Sequence, residues 1–164
     1  MGTTLENLKE AFAGESQANR KYLAFAKKAD EEGYPQVARL FRAAAAAETV
    51  HAHNHFNVIG GVKSTLENLK AAYEGEHFEF SKMYPEFIEG AKKEGNNEAF
   101  KTFHWANEVE KVHGNLYKNA SDNLTSLKDA PYYVCQRCGY TAEEHAPDKC
   151  PVCGAEKDMF TLIE

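Results

Sequence analysis

The feature that most constrains this sequence is an internal repeat in which residues of the first half recur 62 positions later. A repeat built on helical spacing predicts two copies of one helical hairpin, each burying its apolar face against the other. The aligned pairs are Tyr22 and Tyr84, Gly33 and Gly95, Phe41 and Phe103, Ala44 and Ala106, Glu48 and Glu110, and His51 and His113. The fold is therefore expected to be mainly α, as a four-helix bundle.

Glycine and proline divide the chain into the expected helices. Gly33, the Gly60-Gly61 pair, Gly95 and Pro131 predict helices over residues 4–31, 35–59, 66–94 and 97–127. Only eight Val or Ile residues occur in residues 1–130, which disfavours a sheet in that region. Polar and charged residues share the core-facing stripe of each helix, and these carry the chemistry.

A Glu-x-x-His motif occurs on the second and fourth predicted helices, as Glu48/His51 and Glu110/His113. Residues three apart point to the same side of a helix, so each pair aims a carboxylate and an imidazole at the core. The other two helices add carboxylates to this site, namely Glu15, Glu76 and Glu79. Buried carboxylates need a cation among them, and this donor set suits two ions of the iron or manganese type.

A second metal motif lies near the C-terminal end of the sequence. Cys135 and Cys138 form one C-x-x-C pair, Cys150 and Cys153 form another, and a glycine follows each pair. Two such pairs predict a tetrahedral four-sulfur site, which can hold structural zinc or redox-active iron. About 33 residues do not fold alone without a metal or disulfides. We therefore expect two domains, over residues 1–130 and 131–164.

Charge and hydropathy exclude several partners. The net charge is −6 and the pI about 5.7, so we expect no binding to nucleic acid. No segment reaches the apolar length of a membrane span, and the initial MGTTLENLKEAF is not a secretory signal, so we expect a cytoplasmic protein with no membrane partner.

Taken together, these motifs make the whole chain resemble the rubrerythrin family. The resemblance implies a ferritin-like four-helix bundle with a di-iron site, followed by a rubredoxin-like domain with one iron on four cysteines. The residues that carry it are Gly14-Glu15, Glu48-x-x-His51, Gly75-Glu76-x-x-Glu79, Met83-Tyr84-Pro85, Glu110-x-x-His113, Cys135-x-x-Cys138-Gly-Tyr and Cys150-Pro-x-Cys153-Gly.

The resemblance also implies a role for each metal ligand. Glu48 and Glu110 would bridge the two irons, and the terminal ligands would be Glu15, Glu76, Glu79 and His113. His51 would replace Glu79 on one iron when the pair is reduced. Tyr22 and Tyr84 match tyrosines that hydrogen-bond the ligands, although ordinary core packing explains them equally well from sequence alone. The expected catalytic residues are thus Glu79, His51, Tyr22 and Tyr84.

The activity implied by the resemblance is reduction of hydrogen peroxide in oxidative-stress defence, with electrons relayed through the four-cysteine iron. The expected donor is a rubredoxin or an NAD(P)H-dependent reductase, since the chain has no dinucleotide fingerprint of its own. The alternative is a ferroxidase or iron-binding protein whose C-terminal domain holds zinc.

The repeat slips by one residue in the third helix, where Gly75-Glu76 matches Gly14-Glu15 at an offset of 61. The extra residue lies between Glu76 and Tyr84, and it predicts a π-bulge between Glu79 and Tyr84, with Pro85 adding to the distortion.

A short connection between the second and third helices predicts a homodimer that exchanges helical hairpins. In a ferritin-like bundle these two helices run parallel. The connection from the end of the second helix to the start of the third must therefore run back along the bundle, over about 27 Å at a rise of 1.5 Å per residue. Residues 59–65 reach only about 20 Å when fully extended. We therefore expect residues 1–59 to pack with residues 66–127 of a second copy.

Overall fold

Five α-helices and three short strands occur within residues 2–163, the part of the chain that the computed structural model describes. The helices are α1 (Thr4–Glu31), α2 (Pro35–Ile59), α3 (Thr65–Phe78), α4 (Tyr84–Glu94) and α5 (Asn97–Asp122). The strands are β1 (Tyr132–Cys135), β2 (Thr141–Glu143) and β3 (Phe160–Ile163). The predicted fold class, mainly helical with a small sheet-containing C-terminal part, is confirmed.

Local capping signals explain why the helices begin and end where they do. At the start of α1, the Thr3 hydroxyl accepts from the Glu6 N–H at 3.2 Å, and the Glu6 carboxylate accepts from the Thr3 N–H at 2.6 Å. Ser64 and Glu67 form the same reciprocal cap at the start of α3. Gly60 ends α2 with φ of +75°, a left-handed conformation that favours glycine.

The chain divides into two units, the first ending at Lys63 and the second beginning at Ser64. The first unit is the α1–α2 hairpin, and its interface is made of small side chains that let the two helices approach closely. The buried residues are Ala26, Ala29, Ala38, Ala45 and Ala52. Larger apolar side chains of this unit, such as Phe25 and Leu40, are exposed. The hairpin therefore presents an apolar face that its own two helices do not cover.

In the second unit, α3 and α4 pair with α5, and the predicted π-bulge joins α3 to α4. Residues Glu79–Met83 form a π-helical turn, and the Tyr84 N–H donates to the Glu79 carbonyl. Pro85 lies directly after it, in the first turn of α4, where its missing N–H costs least. The extra residue inferred from the repeat is confirmed, because the helix absorbs it as one wide turn.

The end of α5 was predicted wrongly. The sequence indicated a helix to residue 127, whereas α5 ends at Asp122 and residues 123–126 form turns. The Asn123 side chain donates back to the Asn119 carbonyl at 3.0 Å and to the Asn119 side chain at 2.9 Å. Such side-chain hydrogen bonds compete with the helical pattern, which explains the earlier end.

The C-terminal part of the second unit is a three-stranded antiparallel sheet with strand order β2-β1-β3. Tyr132 pairs with Glu143 on one side and with Ile163 on the other. The core beside the sheet contains Cys135, Cys150 and Ala155, packed against Tyr140 and Phe160. The small size of this core agrees with a fold that depends on the cysteines.

The helices do not have the hydropathy of membrane spans. Across residues 2–163, no helix is both long enough and apolar enough to pass through a lipid bilayer.

Candidate metal sites

The α1–α2 hairpin brings three predicted ligands together, and we call Glu15, Glu48 and His51 the first triad. The ligand atoms of these side chains all lie within 4.8 Å of one another. His51 Nδ1 is 2.8 Å from Glu48 Oε2 and 3.9 Å from Glu15 Oε1. The i, i+3 spacing on α2 and the antiparallel packing of α1 produce this cluster.

The second unit repeats this arrangement with Glu76 from α3 and Glu110 and His113 from α5, which we call the second triad. His113 Nδ1 is 2.7 Å from Glu110 Oε2 and 3.9 Å from Glu76 Oε1. The distances match those of the first triad to within 0.1 Å. The internal repeat therefore extends from the sequence to the positions of the ligand atoms.

Hydrogen bonds, burial and neighbouring charges shift the pKa values of the acidic side chains in both triads. A hydrogen bond with Glu48 raises the pKa of Glu15, while the imidazole of His51 lowers the pKa of Glu48. In the second triad, burial and the nearby Glu110 raise the pKa of Glu76 to about 7. A bound cation would stabilise the charged carboxylates, which would reverse the raised pKa values of Glu15 and Glu76 and lower the pKa of Glu48 further.

Glu79 lies at the start of the π-helical turn, outside the 4.8 Å cluster but close to it. Burial, and next the charge of Glu110, raise the pKa of Glu79. The hydrogen bond to Glu110 raises the pKa of His113, which burial opposes. The second unit thus holds one more carboxylate near its triad than the first, where the position matching Glu79 at the local offset of 61 is Ala18.

The donor sets fit iron. Each triad offers two carboxylates and one imidazole, hard and borderline ligands that suit iron or manganese ions. The raised pKa of Glu76 shows a carboxylate for which the protein itself provides too little positive charge. Both observations agree with ligands arranged for metal ions.

Tyr22 and Tyr84 occupy equivalent places in two matching aromatic clusters. Tyr22 packs with Phe25 and Phe41 at ring-centroid distances of 6.4 and 6.2 Å. Tyr84 packs in the same way with Phe87 and Phe103, at 6.2 and 6.4 Å. Burial, and then the charge of Glu79, raise the pKa of Tyr84, so this phenol stays protonated near the second triad.

The two histidines differ in how they are held. Among the described residues, His51 has hydrogen-bond partners on Nδ1 alone, and 53% of its side chain is exposed. His113 is 27% exposed, and its Nε2 lies 3.0 Å from the Thr141 hydroxyl of β2. No pattern in the sequence points to Thr141, because the contact joins residues 28 positions apart with no shared periodicity.

The four cysteines converge as predicted. All four sulfur atoms lie within 4.8 Å of one another, with Cys135 Sγ 3.7 Å from Cys153 Sγ and Cys138 Sγ 3.5 Å from Cys150 Sγ. Gly139 and Gly154 follow the two pairs with φ of +86° and +70°. The glycine N–H groups donate back to the carbonyls of Cys135 and Cys150 at 2.8 and 2.9 Å, which closes each loop.

The thiols differ in acidity because their backbone surroundings differ. Burial raises the pKa of both Cys138 and Cys153. Burial also opposes ionisation of Cys150, but the backbone N–H groups of Cys153 and Val152, together with the Cys138 and Cys153 thiols, lower the pKa of Cys150 overall. Four sulfurs at these distances suit a thiolate-binding metal, and a cation is needed to keep all of them ionised.

Known protein families match both parts of the chain. Residues 6–121 match the family model described as Rubrerythrin, and residues 133–161 match the one described as Rubrerythrin, rubredoxin-like domain.

Individual relatives cover nearly the whole chain. Rubrerythrin-2 of Clostridium acetobutylicum is 37% identical over 174 residues, which cover 96% of this chain and 95% of that protein. Nigerythrin of Nitratidesulfovibrio vulgaris is 40% identical, covering 98% of this chain and 87% of that protein. A solved structure of fully reduced, all-ferrous nigerythrin superposes with a TM-score of 0.61, covering 99% of this chain and 88% of the other.

Proposed function

The chain belongs to the rubrerythrin family, and from that premise we propose that it is a non-haem di-iron peroxidase that reduces hydrogen peroxide to water. Its cofactors are those of the family, a di-iron carboxylate–histidine site and one iron on four cysteines. The observation that carries the proposal is the matched pair of triads, whose donor types and distances suit a pair of equivalent ions.

When bound, the two irons supply a pair of electrons to the O–O bond together, which avoids a free radical, and the four-cysteine iron supplies electrons singly. The protein itself positions the ligand side chains and sets their protonation states. Because the pKa of Glu76 is about 7 without metal, Glu76 is partly protonated at neutral pH, and metal binding displaces that proton where it is present.

We propose that Glu48 and Glu110 would bridge the two irons, the role that the rubrerythrin pattern gives to the glutamate of each Glu-x-x-His motif. The remaining ligands are Glu15, Glu76, Glu79 and His113. We further propose that His51 and Glu79 alternate as ligands of one iron. Among the described residues His51 is bonded at Nδ1 alone and is more exposed, whereas His113 is held at both nitrogens, and Glu79 is the carboxylate without a counterpart in the first unit.

Tyr22 and Tyr84 are proposed to act as hydrogen-bond donors beside the ligating carboxylates. The raised pKa of Tyr84 keeps its hydroxyl protonated, which is the form that donates. Their equivalent aromatic clusters support equivalent roles.

We propose that two copies of the chain form the site by exchanging hairpins, so that each di-iron site combines the first triad of one copy with the second triad of the other. Between Ile59 and Thr65 the connection reaches about 20 Å. Because α3 begins one residue earlier than predicted, the axial separation of the two helix ends in a parallel arrangement becomes about 29 Å at 1.5 Å per residue. The left-handed Gly60 and the reciprocal cap of Ser64 and Glu67 keep both helix ends from unwinding. Phe25 and Phe87, 47% and 44% exposed in the single chain, would be covered in such a dimer.

Residues 1–130 would then act as the di-iron bundle and residues 131–164 as the point of electron entry. A rubredoxin or an NAD(P)H-dependent reductase is the proposed donor. We expect the cytoplasm as its location, where thiols stay reduced.

The test is stopped-flow mixing of the anaerobically reduced, iron-loaded protein with one equivalent of hydrogen peroxide. We expect oxidation of the iron with release of water and no accumulation of hydroxyl radical, detected by a spin trap. Protein that oxidises Fe²⁺ with oxygen but ignores peroxide would instead be a ferroxidase. The zinc alternative for the cysteines is tested by colour, since iron on four thiolates absorbs visible light and zinc does not.

A further inference from the structure

The hydroxyl of Thr141 lies between the second triad and the loop that carries the first two cysteines. His113 Nε2 is 3.0 Å from Thr141 Oγ1, and Thr141 Oγ1 is 3.2 Å from the Gly139 carbonyl oxygen. All three residues belong to the second unit, so the contact does not depend on how hairpins pair.

The directions of these hydrogen bonds follow from the atoms. A carbonyl oxygen only accepts, so the single hydroxyl hydrogen of Thr141 is donated to Gly139. Thr141 Oγ1 must then accept from His113, which places a hydrogen on Nε2 and turns Nδ1 toward Glu110. Nδ1 shares a proton with the Glu110 carboxylate in the metal-free protein, and a metal ion would take the place of that proton on Nδ1.

The link continues to the four-cysteine site through the backbone. The Gly139 N–H donates to the Cys135 carbonyl at 2.8 Å, within the first cysteine loop. A Cβ at Gly139 would lie 3.8 Å from Cγ1 of Val109, a buried residue one helical turn before His113. The loop thus rests on α5 at the level of the second triad.

The first triad has no equivalent of this support. His51 Nε2 has no hydrogen-bond partner among the residues that the structure describes. Besides the extra carboxylate of Glu79 and the deeper burial of His113, the two triads therefore differ in the threonine hydroxyl that contacts the imidazole of the second triad.

We propose that Thr141 is a positioning residue that fixes the tautomer and orientation of His113 and joins the carboxylate site to the four-cysteine loop for electron transfer. The electron-transfer part rests on the proposed function. Thr141 itself touches no reacting atom and acts through His113 and Gly139.

The test compares Thr141→Val, which removes the hydroxyl at nearly constant shape, with Thr141→Ser, which retains it. Zinc-loaded full-length protein with ¹⁵N-labelled histidine gives a readout that does not depend on activity. We expect the Nε2–H proton of His113 to exchange slowly with water in the wild type and in Thr141→Ser, and rapidly in Thr141→Val. Slow exchange in Thr141→Val would overturn the proposal.

The second readout is the rate at which the four-cysteine iron is reoxidised after the fully reduced protein meets one equivalent of peroxide. We expect a roughly 10- to 100-fold slower rate in Thr141→Val and less than about a twofold change in Thr141→Ser. The visible spectrum of the oxidised four-cysteine iron checks folding, and Thr141→Ala is a second hydroxyl-free variant that must behave like Thr141→Val.

The outcomes separate the two proposals. If peroxide fails to oxidise the wild-type protein, the proposed function is wrong, while the Nε2–H exchange still decides the role of Thr141. Wild-type rates of reoxidation in both hydroxyl-free variants would overturn the electron-transfer part alone.

Discussion

The carboxylates of Glu76 and Glu110 lie on neighbouring helices beside His113, and burial with the Glu110 charge raises the pKa of Glu76 to about 7. Without a metal, the excess negative charge of the second triad is therefore partly relieved at neutral pH, because Glu76 carries a proton in about half of the molecules.

This shift predicts how the stability of the metal-free protein depends on pH. The folded pKa of Glu76 lies above the unfolded value of 4.5, so the folded state binds more protons between these values, and stability falls as pH rises from 4.5 to 7. His113, whose pKa is also raised, contributes in the same direction because its favourable charge is lost as pH rises. We expect the Tm of the helical signal to fall by roughly a few degrees between pH 5 and pH 8.

The matched variants are Glu76→Gln and Glu74→Gln, two residues apart on α3, of which Glu74 is exposed. Glu76→Gln should flatten the decline of Tm with pH and also weaken iron binding, whereas Glu74→Gln should leave both unchanged. An undiminished decline in Glu76→Gln would show that another group dominates the pH dependence.

Removal of one thiolate should separate the two metal sites. Cys138→Ser should abolish the four-cysteine iron while the helical hairpins still bind theirs, because the two sites use different segments. Donor-driven peroxide turnover should fall by at least about tenfold, with single-turnover oxidation of the other irons preserved. Gln136→Ala, on the same loop but without a ligand, is the control. Unchanged turnover in Cys138→Ser would rule out electron entry through this site.

Iron content should distinguish a bridging carboxylate from an exchangeable one. Glu110→Ala removes the carboxylate 2.7 Å from His113 Nδ1 and should lower bound iron by about two ions per site. Glu79→Ala removes a carboxylate outside the 4.8 Å cluster and should keep both ions while slowing redox turnover. Metal analysis of the two purified variants measures this, and equal loss of iron in both would contradict the division of roles.

Hairpin exchange predicts complementation between two inactive variants. Glu48→Ala damages the first triad and Glu110→Ala the second, so neither homodimer has an intact site. In a co-expressed heterodimer, exchange pairs the intact first triad of one chain with the intact second triad of the other, restoring one of two sites. We expect about half of wild-type peroxide reductase activity from the heterodimer, isolated with two different affinity tags.

A chain that folds back on itself would give heterodimers as inactive as the parents. As a further check, inserting about eight flexible residues between Gly61 and Val62 should extend the connection beyond the required span and favour a monomer with both triads intact. Size-exclusion chromatography with light scattering distinguishes the two forms.

Features encoded locally could be predicted from the sequence. The bounds of α1 and α2 follow from Thr3, Gly33, Pro35 and Gly60, which act within a few residues of themselves. The members of each triad were indicated by spacing within helices and by the repeat.

Features that depend on tertiary contacts were missed. The docking of Thr141 on His113 joins a strand to a helix and leaves no periodic trace in the sequence. The early end of α5 is a local feature that was also missed, because the hydrogen bonds of the Asn123 side chain to Asn119 compete closely with helix continuation. The pairing of hairpins in the active assembly is a property of two chains, and it stays a prediction.

The π-helical turn at Glu79–Met83 divides the first helix of the second hairpin into two parts that align with the first hairpin at different offsets. Before the turn, Glu76 follows the first hairpin at an offset of 61, and after it Tyr84 and Phe87 follow at 62. A single inserted residue is thus absorbed within one turn, and the ligand positions are uncoupled from the aromatic packing. Substitutions among the metal ligands before the turn need not disturb the aromatic contacts after it. The segments on the two sides of the turn can therefore diverge separately in sequence.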